Sequence, residues 1–303
     1  MMTKDPEMIN SPASIHFTGS EGNLLAADRY GEGGSPVIFL HGGGQTRHAW
    51  AGTAAALARK GYVCYALDQR GHGDSAWSET QDYRHTSFTA DLAKVAQEVT
   101  TLHGQRPVAI GASFGGLIAL LTQGIALSGG EAPPFRALIF VDITLRTSDE
   151  GADKIRSFMR AHAVTGFADV DEAADAVAAY MPHRPRPSST GGLRKNLRQR
   201  EDGRWRWHWD PAFMDGEHRI DSDREAVDPL LVDAARSVEE PMLLVRGGSS
   251  ELVEEEHARD FLKLATDAEY VDVAGARHMV VGDANDQFSS SLVAFLDRRA
   301  PPA

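Results

Sequence analysis

Short runs of uninterrupted apolar residues constrain this chain more than any other feature. Pro36–Leu40, Tyr62–Leu67, Pro107–Ile110, Ala137–Val141 and Pro241–Val245 are apolar throughout, without the alternation of a half-wet strand. A strand reads this way when both faces of its sheet are covered. Helix-like stretches separate the runs. Gln45–Arg59 is rich in alanine, Asp91–Leu102 carries Leu92, Val95, Ala96 and Val99 at helical spacing, and Gly115–Ala126 is apolar. Farther on, Val253–Leu264 and Asp286–Leu296 read as helices on either side of a strand at Glu269–Val273. Strands alternating with helices specify an α/β fold whose mostly parallel sheet has helices on both faces. Ser14–Thr18 and Asn23–Tyr30 read as a hairpin that precedes the alternation.

The alternation lapses between Arg146 and Val238. That stretch is richer in charge, has a helical piece at Asp171–Tyr180 and a Pro/Ser segment at Pro182–Ser189, and lacks a buried-strand run. The expectation is one core domain, residues 1–145 and 239–303, interrupted by a helical insertion at 146–238. A chain of 303 residues can bury a sizeable core without covalent staples. Its single cysteine, Cys64, permits no internal disulfide and no cysteine zinc cage, and its apolar surroundings mark it as a small buried hydrophobe. The formal net charge of -12 argues against a nucleic-acid partner and against an anionic membrane surface. No run approaches the roughly 18 apolar residues that would span a bilayer, and Met1–Ser11 is polar and mixed in charge, so a cytoplasmic location is expected.

Chemistry concentrates at Gly111-Ala112-Ser113-Phe114-Gly115, directly after one strand and directly before a helix. In that context Gly-x-Ser-x-Gly is a nucleophile elbow: a sharp turn, tolerable only between small residues, that lifts the serine hydroxyl to the top of the sheet. Three other stations follow strands. They are His41-Gly42-Gly43-Gly44, the run Asp68-Gln69-Arg70-Gly71-His72-Gly73-Asp74-Ser75, and Gly275-Ala276-Arg277-His278. No P-loop, dinucleotide fingerprint or His-Glu-x-x-His pattern is present, so neither cofactor nor metal is expected.

In this order the stations resemble an α/β-hydrolase over nearly the whole chain. The resemblance implies an eight-stranded, mostly parallel sheet and a cap (lid) inserted after the sixth strand, where 146–238 lies. It implies Ser113 as nucleophile and His278 as base, with His41 and His72 as loop-ordering residues. The acid has two candidates. Members of the family most often carry it after the seventh strand, three residues past a glycine, but Ser250 fills that slot and Glu251 is one residue too far. A subset carries it at the end of the sixth strand, where Asp142 stands. Asp142 is preferred and Glu251 is the alternative. The oxyanion hole would come from the N–H groups of Gly43 and Phe114, and the triple glycine, similar to that of lipases and esterases, would add Gly44.

The serine argues against the epoxide hydrolases and haloalkane dehalogenases of this fold, which use aspartate. The expected activity is cleavage of a carboxylic ester or related acyl bond in a small, partly apolar molecule. The alternatives are a carbon–carbon bond hydrolase or lactonase, and a ligand-sensing receptor that retains the triad. Trp205, Trp207 and Trp209 alternate with polar residues in an extended stretch and read either as pocket lining or as packing of cap on core. Trp50, beside the oxyanion loop, is a further pocket candidate. Oligomeric state is not legible.

Overall fold

The computed structural model describes residues 12–184, 186, 189–278, 280 and 285–302. Part of the Pro182–Ser189 segment therefore lies outside the described residues. Eight strands form one sheet: β1 (Ala13–Thr18), β2 (Leu24–Tyr30), β3 (Ser35–Leu40), β4 (Tyr62–Leu67), β5 (Val108–Ala112), β6 (Ala137–Val141), β9 (Met242–Gly247) and β10 (Glu269–Val273). Their spatial order is β1-β2-β4-β3-β5-β6-β9-β10. β1 and β2 form the antiparallel edge, and every pairing from β4 to β10 is parallel.

The apolar runs are the central strands, and their side chains divide by the two-residue period of a strand. Ile38, Leu40, Val63, Tyr65, Ala109, Leu138 and Leu244 face one core, shared with helices α2 (His85–His103), α3 (Phe114–Ser128) and α9 (Glu255–Leu264). Val37, Phe39, Cys64, Ile110, Ile139 and Val245 face the other, under α1 (Ala51–Ala58) and the final helix α10 (Asn285–Arg299). Cys64 is fully buried, and burial pushes its thiol pKa up, away from reactivity.

Between β6 and β9 the chain forms α4 (Asp149–Ala161), α5 (Val170–Tyr180), α6 (Gly191–Arg194), a two-stranded hairpin of β7 (Leu197–Gln199) and β8 (Trp205–Trp207), α7 (Ala212–Asp215) and α8 (Arg224–Ser237). The insertion is thus not purely helical. Nor does all of it stand apart from the core. α8 packs along α3, so closely at Gly124 that a Cβ there would lie 2.4 Å from the Ala234 Cβ. Among the described residues no helix is long and apolar enough to cross a membrane.

Candidate active site

Strand β5 delivers Ser113 in a conformation that L-residues avoid, with φ 48° and ψ -124°. The turn is closed by Ser113 N–H donating to the Val141 carbonyl at 2.9 Å and Gly116 N–H donating to the Ser113 carbonyl at 2.9 Å. The flanking glycines are steric requirements. A Cβ on Gly111 would meet the Gly116 nitrogen at 2.4 Å, and one on Gly115 would meet the Leu40 carbonyl oxygen at 2.6 Å. Phe114 opens α3, so its N–H belongs to a first helical turn that has no intrahelical acceptors.

Asp142 follows β6 with a positive φ of 50° and is fully buried. Its carboxylate takes three hydrogen bonds. Gly247 N–H donates to Oδ1 at 2.8 Å, Ser250 Oγ donates to Oδ2 at 2.5 Å, and His278 Nδ1 donates to Oδ2 at 2.8 Å. Because an ionised carboxylate only accepts, the His278 proton sits on Nδ1, which leaves Nε2 free to accept. Of the two candidate acids, Asp142 is therefore the one that contacts the imidazole. Ser250, which cannot itself supply a charge, instead braces the carboxylate. It is held by Leu252 and Val253 N–H, each donating to its Oγ at 3.1 Å. Glu251 lines the cavity separately, with one carboxylate oxygen buried and unpartnered among the described residues.

Ser113, His278, Gly43 and Phe114 line one cavity of about 390 Å³. Its walls are largely apolar. Leu117 and Ile143 come from the core side, and Ile155, Phe158, Met159, Val177, Trp207, Trp209 and Phe213 from the inserted segment. Trp207 and Trp209 thus reach the cavity. Two expectations fail. Trp50 lies in the core on the opposite face of the sheet, its ring 5.0 Å from Phe39 and 6.2 Å from Phe288, because the Arg47–Trp50 turn leads into α1 on that face. Trp205 sits at the hairpin edge, with the Arg194 guanidinium 4.9 Å over its ring, and takes no part in the lining. The strand ends at Trp207, so the alternation of Trp205, Trp207 and Trp209 does not run on as one extended face.

The loop after β3 is bonded from several sides. His41 Nδ1 donates to the Gly42 carbonyl at 2.8 Å and its Nε2 accepts from Gln69 N–H at 3.1 Å. Gly44 N–H donates to His72 Nε2 at 3.1 Å, while His72 Nδ1 donates to the Arg70 carbonyl at 2.9 Å. The Gly44 donor is therefore committed to His72 and is not free for an oxyanion. Each imidazole accepts at one nitrogen, so each is neutral. Burial fits this, lowering His41 to about 4 and His72 to about 3. Among the described residues no group of three or more His, Cys, Asp or Glu is placed to hold a metal ion.

A strained serine elbow, a histidine paired with a buried aspartate and a mostly parallel sheet define a class of hydrolytic fold. The sequence matches the alpha/beta hydrolase family over residues 37–290, and the chain belongs to that family. It is 30% identical to esterase Rv0045c of Mycobacterium tuberculosis over 251 residues, covering 81% of this chain and 77% of that protein. It is 27% identical to the 2-(acetamidomethylene)succinate hydrolase of Mesorhizobium japonicum over 282 residues, 90% of this chain and 93% of that one. The crystal structure of an E-2-(acetamidomethylene)succinate hydrolase superposes with a TM-score of 0.78 at 22% identity, covering 94% of this chain and 99% of the other, a likeness of fold. The chain is an enzyme of the hydrolase class.

Proposed function

We propose that the chain is a serine hydrolase that cleaves a carboxylic ester, or a related acyl bond, of a small, partly apolar substrate through an acyl-enzyme on Ser113. The observation that carries this reading is the pairing of His278 Nδ1 with the buried Asp142 carboxylate at 2.8 Å, in the same cavity as the elbow serine. His278 Nε2 takes the Ser113 proton as Oγ attacks the carbonyl carbon. Asp142 holds the tautomer and stabilises the imidazolium. The N–H groups of Gly43 and Phe114 donate hydrogen bonds to the carbonyl oxygen as negative charge develops on it. His278 returns its proton to the leaving group, then activates water to release the acyl group and regenerate Ser113. The inserted segment serves as a cap, and its Trp207, Trp209 and Phe213 select the acyl group. The names of the two relatives, an esterase and a hydrolase, agree with this chemistry.

The test is steady-state turnover of nitrophenyl esters of graded acyl length by the wild type and by Ser113→Ala. Loss of the nucleophile from a comparable triad costs about 10⁶ in kcat. Steady turnover that vanishes in Ser113→Ala is the expected result. Turnover by Ser113→Ala at the wild-type rate would refute the nucleophile, and a wild type that is modified once and never turns over would point to a receptor.

A further inference from the structure

We propose that His208, contributed by the inserted segment, is a positioning residue for the oxyanion loop, so that docking of that segment sets the hole on which catalysis depends. The inference rests on the serine-hydrolase reading above. His208 is 1% exposed and lies on the chain just after β8. Its Nδ1 accepts from Gly73 N–H at 2.6 Å, so its proton is on Nε2, which donates to the Gly44 carbonyl at 3.2 Å. The same Gly44 donates from its nitrogen to His72 Nε2 at 3.1 Å. His208 and His72 therefore hold the two polar groups of one residue from two sides, with their rings 5.8 Å apart. Gly42, one residue before Gly43, is fixed in turn by His41. Gly43 sits between these anchors, and the direction of its N–H follows from them.

The segment that carries His208 is itself bound to the core. Arg198 Nη2 donates to Asp74 Oδ1 at 2.6 Å, Asp210 N–H donates to the Gly71 carbonyl at 2.9 Å, and Tyr83 Oη donates to Asp210 Oδ2 at 2.6 Å. Glycine is the most mobile kind of residue, so the direction of the loop at Gly44 depends on its anchors. Its positive φ of 75° and the nearness of Met159 Cε, 2.8 Å from where a Cβ would lie, disfavour a side chain that could stiffen the loop there. Without His208 the Gly44 carbonyl and the Gly73 N–H would both be left without these partners, and water or a rearranged loop would have to satisfy them.

Three variants separate the two bonds. His208→Gln keeps a donor near Gly44, His208→Asn keeps an acceptor near Gly73, and His208→Phe keeps the ring and loses both. Outright loss of an oxyanion donor costs about 10²–10³ in kcat, and a misdirected donor costs part of that. For His208→Phe and His208→Asn we expect a fall in kcat of about tenfold or more with KM within about twofold, and for His208→Gln recovery of most of it. Affinity for a trifluoromethyl ketone, whose adduct needs the hole, should fall in step with kcat/KM, while melting temperatures of His208→Asn and His208→Gln agree. Should His208→Phe fail to fold, the Asn and Gln pair still decides. Equal activity in those two, or a loss that follows melting temperature alone, would overturn the inference while leaving the hydrolase reading intact. A wild type without esterase activity would overturn both.

Discussion

Replacing Asp142 with asparagine removes one charge and leaves the shape intact, so its effect can be worked out from hydrogen bonds. The wild-type carboxylate receives three donors: Gly247 N–H, Ser250 Oγ–H and His278 Nδ1–H. Asparagine offers one acceptor oxygen. The backbone donor of Gly247 cannot rotate away, so the amide oxygen must stay on the Oδ1 side. Its NH2 group then faces Ser250 and His278. Ser250 Oγ already accepts from Leu252 and Val253 N–H, so it has no lone pair left for the new donor. The imidazole can accept at Nδ1 only by moving its proton to Nε2, and in the proposed mechanism Nε2 is the atom that receives the Ser113 proton. A triad held in the wrong tautomer loses about 10⁴ in kcat, or about 5 kcal/mol of transition-state stabilisation. Folding should lose about 1–3 kcal/mol, the cost of a buried NH2 donor without an acceptor at Ser250, which is too little to explain such a loss of rate. The assay is ester turnover and the rate of fluorophosphonate labelling, with a thermal melt as control. Asp142→Asn should lose both activities in parallel, and Glu251→Gln, on a carboxylate away from His278, should change kcat by less than about tenfold. A mild Asp142→Asn beside a crippling Glu251→Gln would refute the reasoning.

Other substitutions separate packing from selection. Trp50→Ala should cost about 3–5 kcal/mol of stability with acyl-chain preference unchanged, whereas Trp207→Ala should shift that preference, read from a nitrophenyl ester series; the reverse would contradict the placement of the two indoles. Gly115→Ala should give protein that is insoluble or unlabelled by fluorophosphonate, because its Cβ falls on the Leu40 and His41 carbonyls; a soluble, fully labelled variant would contradict the elbow geometry. Stability should fall with acid. His41 and His72 have folded pKa values of about 4 and about 3, against about 6.5 in the unfolded chain, so below pH 6.5 the unfolded state takes up protons that the folded state refuses. At pH 5 that amounts to about 2 kcal/mol for each histidine. A urea midpoint that stays level from pH 7.5 to pH 5 would contradict the neutral, buried assignment.

The strands were legible because each central run is apolar on both faces, and the elbow was legible because its two glycines are steric necessities beside a strand and a helix. Positions depending on distant partners were not. The spacing of apolar residues suggested that α2 begins at Asp91, but it begins at His85. The first-turn N–H groups of His85 and Thr86 are capped by the side chain of Asp223, 138 residues away, at 3.2 and 3.1 Å. Ser250 posed a similar problem: its position drew attention as the wrong residue in the acid's slot, and only folding reveals that it donates to Asp142 there. Trp50 is near the oxyanion loop in sequence, yet the turn at Arg47–Trp50 carries it through to the far face of the sheet. His208 carried no local signal, since its partners Gly44 and Gly73 are 164 and 135 residues away.

The proposed chemistry turns on covalent acylation of Ser113. Intact-mass and peptide mass spectrometry of protein treated with a fluorophosphonate, and of protein quenched during turnover of a slow nitrophenyl ester, test it directly. One adduct per chain is expected, on the peptide containing Gly111–Gly115, absent from Ser113→Ala. An adduct on another residue, or full ester turnover with Ser113 unmodified by either reagent, would contradict it.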